Sequence, residues 1–345
     1  MLTRRHALML LLIAQPWMAQ AQAQAQATPQ RIAFVSHAPD SDTWWNTVRN
    51  AIGHAAADFG AEVDYLNPSD GSIAGMAQLL DGLSPTKYAG VISTIADFGV
   101  LADPLRAVVK RKLPLITVNS GTELQSEQVG ALMHIGQPEF LAGKDAGEEL
   151  AKKGARSFIC FNHYPSNPAS MERCEGFKEG LGKRARMVVV NLSGNPAENQ
   201  ATAAAALRQN SDVDAILTLG PTSAHPVLAG MLPVGKRQPA LVTFDISQDI
   251  VAGIRSGTVA FAIDQQPYLQ GYLSVALLAQ SLRMPGATSN NLLKMSVYSS
   301  PKVHERVARY GLSLKYSKSR HIHSGPGFVS RLNIDKVERF SGQYR

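Results

Sequence analysis

Short β-branched segments alternate with amphipathic helical segments along most of the chain, and this alternation constrains the fold more than any other feature. The segment RIAFVS at 31–36 predicts a buried strand, and the next segment predicts a helix from 43 to 59 that Gly60 ends. Further strands are predicted over 63–66, 88–93 and 115–118, with helices over 72–82 and 101–111. Strands separated by helices at this spacing indicate a parallel sheet covered by helices on both faces.

The same pattern begins again near residue 140. Helices are predicted over 140–153, 169–182, 200–209 and 270–282, and strands over 157–161, 187–191, 215–219, 240–244 and 259–263. Two successive sheets of similar size predict an α/β protein with two similar, doubly wound parallel-sheet lobes. The more polar segment from Val297 to Arg345 is interpreted as a return across the hinge followed by a C-terminal extension.

The first 27 residues have the layout of a secretory signal peptide. Arg4 and Arg5 form a positive n-region, ALMLLLIA at 7–14 is apolar, and repeated Ala-x-Ala sites follow. The apolar stretch is shorter than the roughly 20 residues that a membrane span needs. The chain is therefore expected to be exported to the periplasm and to be cleaved after Ala27. The arginine pair also fits twin-arginine export, although the general secretory route is favoured.

Charge and cysteine content limit the remaining possibilities. The formal net charge is +7, but the basic residues are scattered and are not interleaved with aromatics, so nucleic acid is not an expected partner. Cys160 lies in a predicted strand, and Cys174 lies on the inward face of the next helix. In an oxidising compartment the pair could form a disulfide or remain as two buried thiols, and the sequence leaves both possibilities open.

Ligands of open parallel sheets bind beyond the carboxyl ends of the strands. The residues that follow the predicted strands are rich in carboxylates, amides and aromatics: His37, Asp42, Trp44, Thr94, Asp97, Asn119, Ser120, Asn162, His163, Pro221, Thr222, Asp245, Gln265 and Gln266. Such a set suits a hydroxyl-rich ligand, because flat side chains cover the apolar faces of a sugar ring and polar ones bind its hydroxyls.

Each of these residues also has a structural alternative. Asp245 and Asp42 could cap helices, Asn119 could form an Asx turn, and His37 could bond only to its own turn. Gln265 could be a surface amide. Adjacent helical residues point about 100° apart, so one of Trp44 and Trp45 is expected in the cleft and the other in the core, with Trp44 favoured for the cleft.

Several segments, in order, resemble the type I periplasmic binding proteins that serve as sugar-binding subunits of ABC importers of the ribose, galactose and xylose group. The resemblance rests on the strand and helix around Trp44 and Trp45, on LPLITVN ending at Asn119, on SMERCEGFKEGL, on LVTFDIS with Asp245, and on AFAIDQQPYLQGYLSV with Gln265. It covers nearly all of the chain after the leader.

The resemblance implies a three-stranded hinge, with crossings near 134–136, 265 and 293–297. It divides the chain into a signal peptide at 1–27, an N-terminal lobe of 28–134 plus 266–294, and a C-terminal lobe of 135–265 plus 295–345. It also implies lobes that close on one small ligand and then dock on an inner-membrane ABC permease. A monomer is expected because both lobes must move freely, and no cofactor is expected.

The implied ligand-binding residues are His37, Asp42, Trp44, Trp45, Asn119, Asn162, His163, Met171, Arg173, Pro221, Asp245 and Gln265. The sequence departs from the family where Asn119 replaces an aspartate and where Met171 replaces an arginine, with Arg173 nearby. These changes indicate a ligand that has fewer hydroxyls than ribose or a different arrangement of them.

Other functions lack their motifs in this sequence. It contains no phosphate-binding loop, no nucleophile elbow and no His-Glu-x-x-His motif, so an enzyme is not expected. His321 and His323 have no acidic or cysteine partner nearby in sequence, so no metal site is expected. The main alternative is a periplasmic sensor that presents the same closed form to a chemoreceptor or a histidine kinase.

Overall fold

A computed structural model describes residues 30–165, 167–193, 195–231, 238–284 and 290–345 of the chain. The expected signal peptide at 1–27 lies outside these residues. Among the described helices, none combines the length and the apolar composition that crossing a membrane requires.

Six strands form the first sheet, in the order β11-β5-β4-β3-β1-β2, and every adjacent pair in it is parallel. The strands are β1 (Gln30–Val35), β2 (Ala61–Leu66), β3 (Gly90–Ser93), β4 (Leu115–Val118), β5 (Met133–Gly136) and β11 (Ile322–His323). The connecting helices are α1 (Trp45–Phe59), α2 (Ile73–Asp81), α3 (Phe98–Lys110) and α4 (Glu123–Gln128).

The second sheet repeats this order as β12-β10-β9-β8-β6-β7, with only β12 antiparallel to its neighbour. Its strands are β6 (Ser157–Asn162), β7 (Arg186–Asn191), β8 (Ala215–Thr218), β9 (Ala240–Phe244), β10 (Val259–Asp264) and β12 (Gly327–Val329). Its helices are α5 (Glu139–Ala151), α6 (Pro168–Leu181), α7 (Pro196–Gln209), α8 (Pro221–Gly230) and α9 (Gln248–Ser256). The predicted fold of two similar parallel-sheet α/β lobes is confirmed.

Apolar clusters cover both faces of each sheet, which explains why the central strands are continuously hydrophobic. On the first sheet, Phe34 faces the cluster beneath α1 and α10 (Pro267–Arg283), whereas Val35 faces the cluster beneath α2 and α3. On the second sheet, Phe161 and Cys160 divide between its two faces in the same way.

Helices α5 and α6 pack unusually closely because both carry glycines four residues apart, at 143 and 147 and at 176 and 180. A Cβ atom on Gly176 would lie 2.0 Å from the carbonyl oxygen of Phe140, and one on Gly143 would lie 2.2 Å from that of Arg173. Positions four residues apart share one face of a helix, so the glycines make a smooth contact surface on each helix. This packing brings the beginning of α5 against the middle of α6.

A disulfide joins Cys160 of β6 to Cys174 of α6, with a Cα–Cα distance of 6.0 Å. Of the two states that the sequence leaves open, the structure contains the bonded one. The bond ties α6 to the central part of the second sheet, one residue from Arg173.

The chain crosses between the sheets after β5, after β10 and between β11 and β12. The first two crossings lie at or beside the predicted positions near 134–136 and 265. The third lies at 324–326 and not near 293–297, because residues 290–298 form a helix, α11 (Asn290–Tyr298), in the first lobe.

Two helices that were not predicted from the sequence pack on the first lobe near the beginning of the C-terminal segment. Leu293 and Val297 of α11 and Val303 of α12 (Pro301–Arg309) are buried in the same cluster as Tyr268. The sequence partition placed 295–345 in the C-terminal lobe. The apolar faces of α11 and α12 instead continue the helical layer that begins with α10. Only β12 and α13 (Ile334–Glu338) join the second sheet and its core.

Candidate functional site

A cavity of about 800 Å³ lies between the lobes, at the carboxyl ends of the strands of both sheets. This size falls within the range typical of small-molecule sites, and the position is the one expected for open parallel sheets. Ten of the twelve predicted site residues line it: His37, Asp42, Trp44, Trp45, Asn119, His163, Arg173, Pro221, Asp245 and Gln265.

Asn162 and Met171 do not line the cavity. The Asn162 side chain is fully buried and accepts a hydrogen bond from the backbone N–H of Tyr164 through Oδ1. Its Nδ2 faces the Met171 sulfur at 3.7 Å, and Met171 packs against the core of the second lobe. The pair supports the loop that carries His163, because Asn162 is the last residue of β6 and its side chain turns back into the lobe.

Asp245 is a buried carboxylate that lines the cavity from the second lobe. Both of its carboxylate oxygens accept from the Gln265 amide, at 2.8 and 2.9 Å. Burial raises the pKa of Asp245 to about 7, although Arg173 nearby acts to lower it. The helix that follows is capped by Ser247, so Asp245 is not the helix cap. Gln265 is 4% exposed, which excludes the alternative of a surface amide.

Arg173 is held by a carboxylate that the sequence analysis missed. Its Nε and Nη2 each donate to Glu139 at 2.7 Å, and its Nη1 donates to the carbonyl oxygen of Leu219 at 2.8 Å. Glu139 also accepts from Gln137 at 2.8 Å and is itself buried. A bidentate pair of this kind fixes the guanidinium plane. The one available signal was an acidic residue at the start of α5, directly after the first crossing.

Two imidazoles face the cavity from opposite lobes. Burial lowers the pKa of His37 to about 4, and burial together with the nearby Arg173 lowers that of His163 to about 4. The Nδ1 of His37 lies 3.0 Å from the Thr94 hydroxyl, whereas the Nδ1 of His163 is buried without a hydrogen-bond partner among the described residues. Both rings are therefore neutral near pH 7, and each can donate or accept.

Both adjacent indoles line the cavity and pack on the core of the first lobe, but they differ in burial. Trp45 is 3% exposed, belongs to the core cluster of the first lobe and packs edge-on against His37 with ring centroids 5.4 Å apart. Trp44 is half-buried and also lines the cavity. Asp42 lines the cavity and accepts from the backbone N–H of Trp44 at 3.1 Å, but the N-cap of α1 is Trp44 without a side-chain cap, so Asp42 supports the turn before the helix and does not cap it.

Asn119 is tied to the hinge by a second residue that the sequence analysis missed. Its Nδ2 donates to Oε1 of Gln270 at 2.9 Å. The amide nitrogen of Gln270, which is fully buried on α10, lies 3.0 Å from the Ser324 hydroxyl and 3.3 Å from the carbonyl oxygen of Gln265. Gln270 therefore connects a cavity residue of the first lobe to two of the crossings. Its position on an otherwise apolar helix gave no sign of this role.

The cavity offers carboxylates, amides, guanidinium groups, imidazoles and two indoles. These groups can hydrogen-bond several hydroxyls and cover an apolar ring face. Within the described ranges, no three His, Cys, Asp or Glu side chains are grouped so that they could hold a metal ion. His321 and His323 instead pair with Glu127 and Glu123, at 3.2 and 2.7 Å.

Comparison with known proteins gives consistent results. Residues 32–286 match the family model described as periplasmic binding protein domain. The ribose import binding protein of Haemophilus influenzae is 29% identical over 185 residues, which are 51% of this chain and 61% of that protein. That of Escherichia coli is 25% identical over 178 residues, covering 50% and 58%. The alignments thus span a little over half the length of these relatives.

Solved structures extend the likeness to nearly the whole chain. A carbohydrate transporter protein of Acidothermus cellulolyticus, solved with myo-inositol, superposes with a TM-score of 0.75 at 25% identity, over 91% of this chain and 99% of that one. A solute-binding protein of Burkholderia graminis, solved with D-arabinose, has a TM-score of 0.70 at 17% identity, over 89% and 97%, which supports the fold alone.

These relatives are substrate-binding proteins and not enzymes, in agreement with the expectation from sequence. The chain belongs to the periplasmic binding protein domain family and has the type I fold of two parallel-sheet lobes.

Proposed function

We propose that this protein binds a monosaccharide or a cyclitol between its two lobes and delivers it to an ABC importer. The observation that carries the proposal is the cavity between the strand ends, where Asp245 and Gln265 of one lobe and His37 and Asn119 of the other are all available to ligand hydroxyls. A ligand that contacts both lobes favours the closed state by its difference in affinity for the two states. No chemical step is needed.

The ligand-binding role of each residue follows from its position. Asp245 and Gln265 would accept and donate hydrogen bonds at one edge of the ring, and Arg173, fixed by Glu139, would donate to an adjacent hydroxyl. Trp44 would cover a ring face. The relatives named above are a ribose import binding protein and a transporter protein holding myo-inositol, which supports a small polyhydroxylated ring as the ligand.

The proposal also covers export of the protein and the partner on which it docks. Residues 1–27 would be removed as a signal peptide, placing the mature protein in the periplasm as a monomer. The closed form would dock on an inner-membrane permease. A sensor that presents the same closed form to a receptor would use the same cavity, so co-purification of the liganded protein with permease or with receptor distinguishes the two partners.

A thermal-shift screen with D-ribose, D-arabinose, D-galactose and myo-inositol tests the ligand class. A true ligand at 100 times its dissociation constant adds about 2.7 kcal/mol to the free energy of unfolding. Asp245→Ala should remove the shift, whereas Asp249→Ala, on an exposed carboxylate nearby in sequence, should keep it. A shift that Asp245→Ala leaves intact would contradict the proposed site.

A further inference from the structure

The segment from Ile334 to Arg345, called the strap here, is attached to both lobes. At its beginning, Ile334 and Val337 are buried in the core of the second lobe. Arg255 of α9 pairs with Asp335 at 2.8 Å and also with Glu338. This end of the strap therefore moves with the second sheet.

The other end of the strap packs on the first lobe. Phe340 and Tyr344 pack against the core cluster of that lobe, and the Tyr344 ring stacks on Tyr310 with centroids 4.4 Å apart. The amide of Asn50, on α1, donates to the carbonyl oxygen of Gln343 at 3.1 Å. This end therefore moves with the first sheet.

Very little chain separates the two attachments. Val337 is buried in one lobe and Phe340 contacts the core of the other, and the backbone N–H of Phe340 donates to the carbonyl oxygen of Val337 at 3.0 Å. The ends of such a turn lie within about 7 Å, and three fully extended residues span only about 10 Å. The lobes can therefore separate by only a few Å at this point before one attachment must break.

The strap also reaches the cavity and the hinge. Ser341, Gly342 and Arg345 line the cavity. The Arg345 guanidinium pairs with Asp264, the last residue of β10, at 2.7 Å, and both side chains are buried. It also donates to the carbonyl oxygens of Tyr310 and Gly311 in the first lobe. One side chain thus joins the strap to the first lobe and to the middle crossing.

We propose that the strap is a fourth, length-limited connection that restricts the opening of the cleft, and that Arg345 is a positioning residue that fixes it to the hinge beside the ligand. Hinge closure needs a rotation between the lobes, and a short tether beside the cavity limits how far that rotation can open. The inference concerns the ligand-free protein, so it rests on the proposed function only for its effect on affinity.

The test lengthens the strap without removing either attachment. Six residues, Gly-Ser-Gly-Ser-Gly-Ser, are inserted between Arg339 and Phe340, and the matched control carries the same insertion between Lys183 and Arg184, in an exposed loop of the second lobe. Spin labels at Val100→Cys and Asp249→Cys report the distance between the lobes by double electron–electron resonance. Both sites are exposed, and the native cysteines are joined to each other.

The expected result is a ligand-free distance distribution that is broader and longer by about 3 Å or more in the strap insertion alone. Equal distributions in the parent and the strap insertion, or an equal change in the control, would overturn the proposal. Circular dichroism shows whether the strap insertion folds. If it does not, the double variant Tyr344→Ala with Arg345→Ala is measured in its place. A longer and broader ligand-free distance distribution in that variant supports the proposal, and an unchanged distribution overturns it. Because no ligand is added, this result stands even if the ligand screen finds nothing.

Discussion

Asn119 and Asp245 occupy equivalent positions in the two lobes. Each is the first residue after the corresponding strand, β4 or β9, with left-handed φ angles of 62° and 63°. Each donates its backbone N–H to the next strand, Asn119 to Ile135 at 3.0 Å and Asp245 to Ile263 at 2.8 Å. Asn and Asp tolerate this conformation better than most residues, so both polar side chains are presented at the strand ends.

The equivalence extends to the two imidazoles. Val35 and Phe161 are the last residues of β1 and β6 that pair with β3 and β8, and His37 and His163 each stand two residues later. The two lobes thus present residues to the cavity from equivalent positions after their strands. At the first of these paired positions the lobes differ in charge, because the second lobe has Asp245 where the first has Asn119.

The pH dependence of binding follows from Asp245. Its pKa in the ligand-free protein is about 7, and ligand hydroxyls that donate to the carboxylate favour the ionised form, so binding releases a proton. Affinity should therefore rise with pH and be about tenfold weaker at pH 6 than at pH 8. Titration calorimetry at a series of pH values measures this. Asp245→Asn should abolish the slope, because His37 and His163, with pKa values near 4, stay neutral in this range.

Substitutions of the two tryptophans should differ in their effects on ligand binding and on the free energy of unfolding. Trp44→Ala should weaken ligand binding by about tenfold with a smaller loss of stability than Trp45→Ala, because its ring lines the cavity and is only partly buried. Trp45→Ala should instead lower the free energy of unfolding by about 3–5 kcal/mol, since the ring is buried in the core. Urea unfolding and ligand titration of both variants provide the check. The opposite assignment of effects would show that Trp45 is the ring that contacts the ligand.

Because α5 packs closely on α6, adding a single methyl group at this contact should strongly lower the free energy of unfolding. Gly176→Ala should cost about 3 kcal/mol or more, because the Cβ would overlap the backbone of α5. Gly53→Ala, in the middle of α1 with no atom within 4 Å of the added Cβ, should stabilise the protein by about 0.5–1 kcal/mol. Thermal unfolding of the two variants compares them directly. Equal effects of the two substitutions would mean that the helices can separate without loss.

Loss of the disulfide should lower the free energy of unfolding and should have less effect on the geometry of the site. Cys160 and Cys174 are 14 residues apart in sequence, and closing a loop of about this length contributes about 3 kcal/mol in the chain-entropy view. The double variant Cys160→Ala with Cys174→Ala should lose this amount in urea unfolding, and the parent should lose it in the presence of dithiothreitol. A parent whose stability is insensitive to the reductant would argue against the bond.

Most of the strand and helix order could be predicted because the β-branched segments and the glycine and proline boundaries recur at regular spacing. The short elements were missed for physical reasons. Helix α4 has only six residues and α9 only nine, so neither sustains a helical period over the longer window that such a prediction needs. Strand β5 spans four residues, and its buried His134 interrupted the apolar pattern.

The site was predictable where a residue directly follows a strand, as Asp245, Asn119 and Gln265 do. The roles of Glu139, Gln270 and the strap could not be predicted in this way. These residues reach the cavity, or the hydrogen bonds that support it, from other parts of the chain. The placement of α11 and α12 in the first lobe was also missed, since their apolar faces are short and the segments between them are polar. Contacts of this kind depend on how the two lobes are assembled, which local sequence patterns do not encode.

A crystal structure of the protein grown with the tightest ligand from the screen shows whether the ligand binds between the lobes. We expect one ring-shaped ligand in the cavity, with hydroxyls hydrogen-bonded to Asp245 and Gln265 of one lobe and to Asn119 or His37 of the other. Density for the ligand at any other place, or contacts confined to a single lobe, would contradict it.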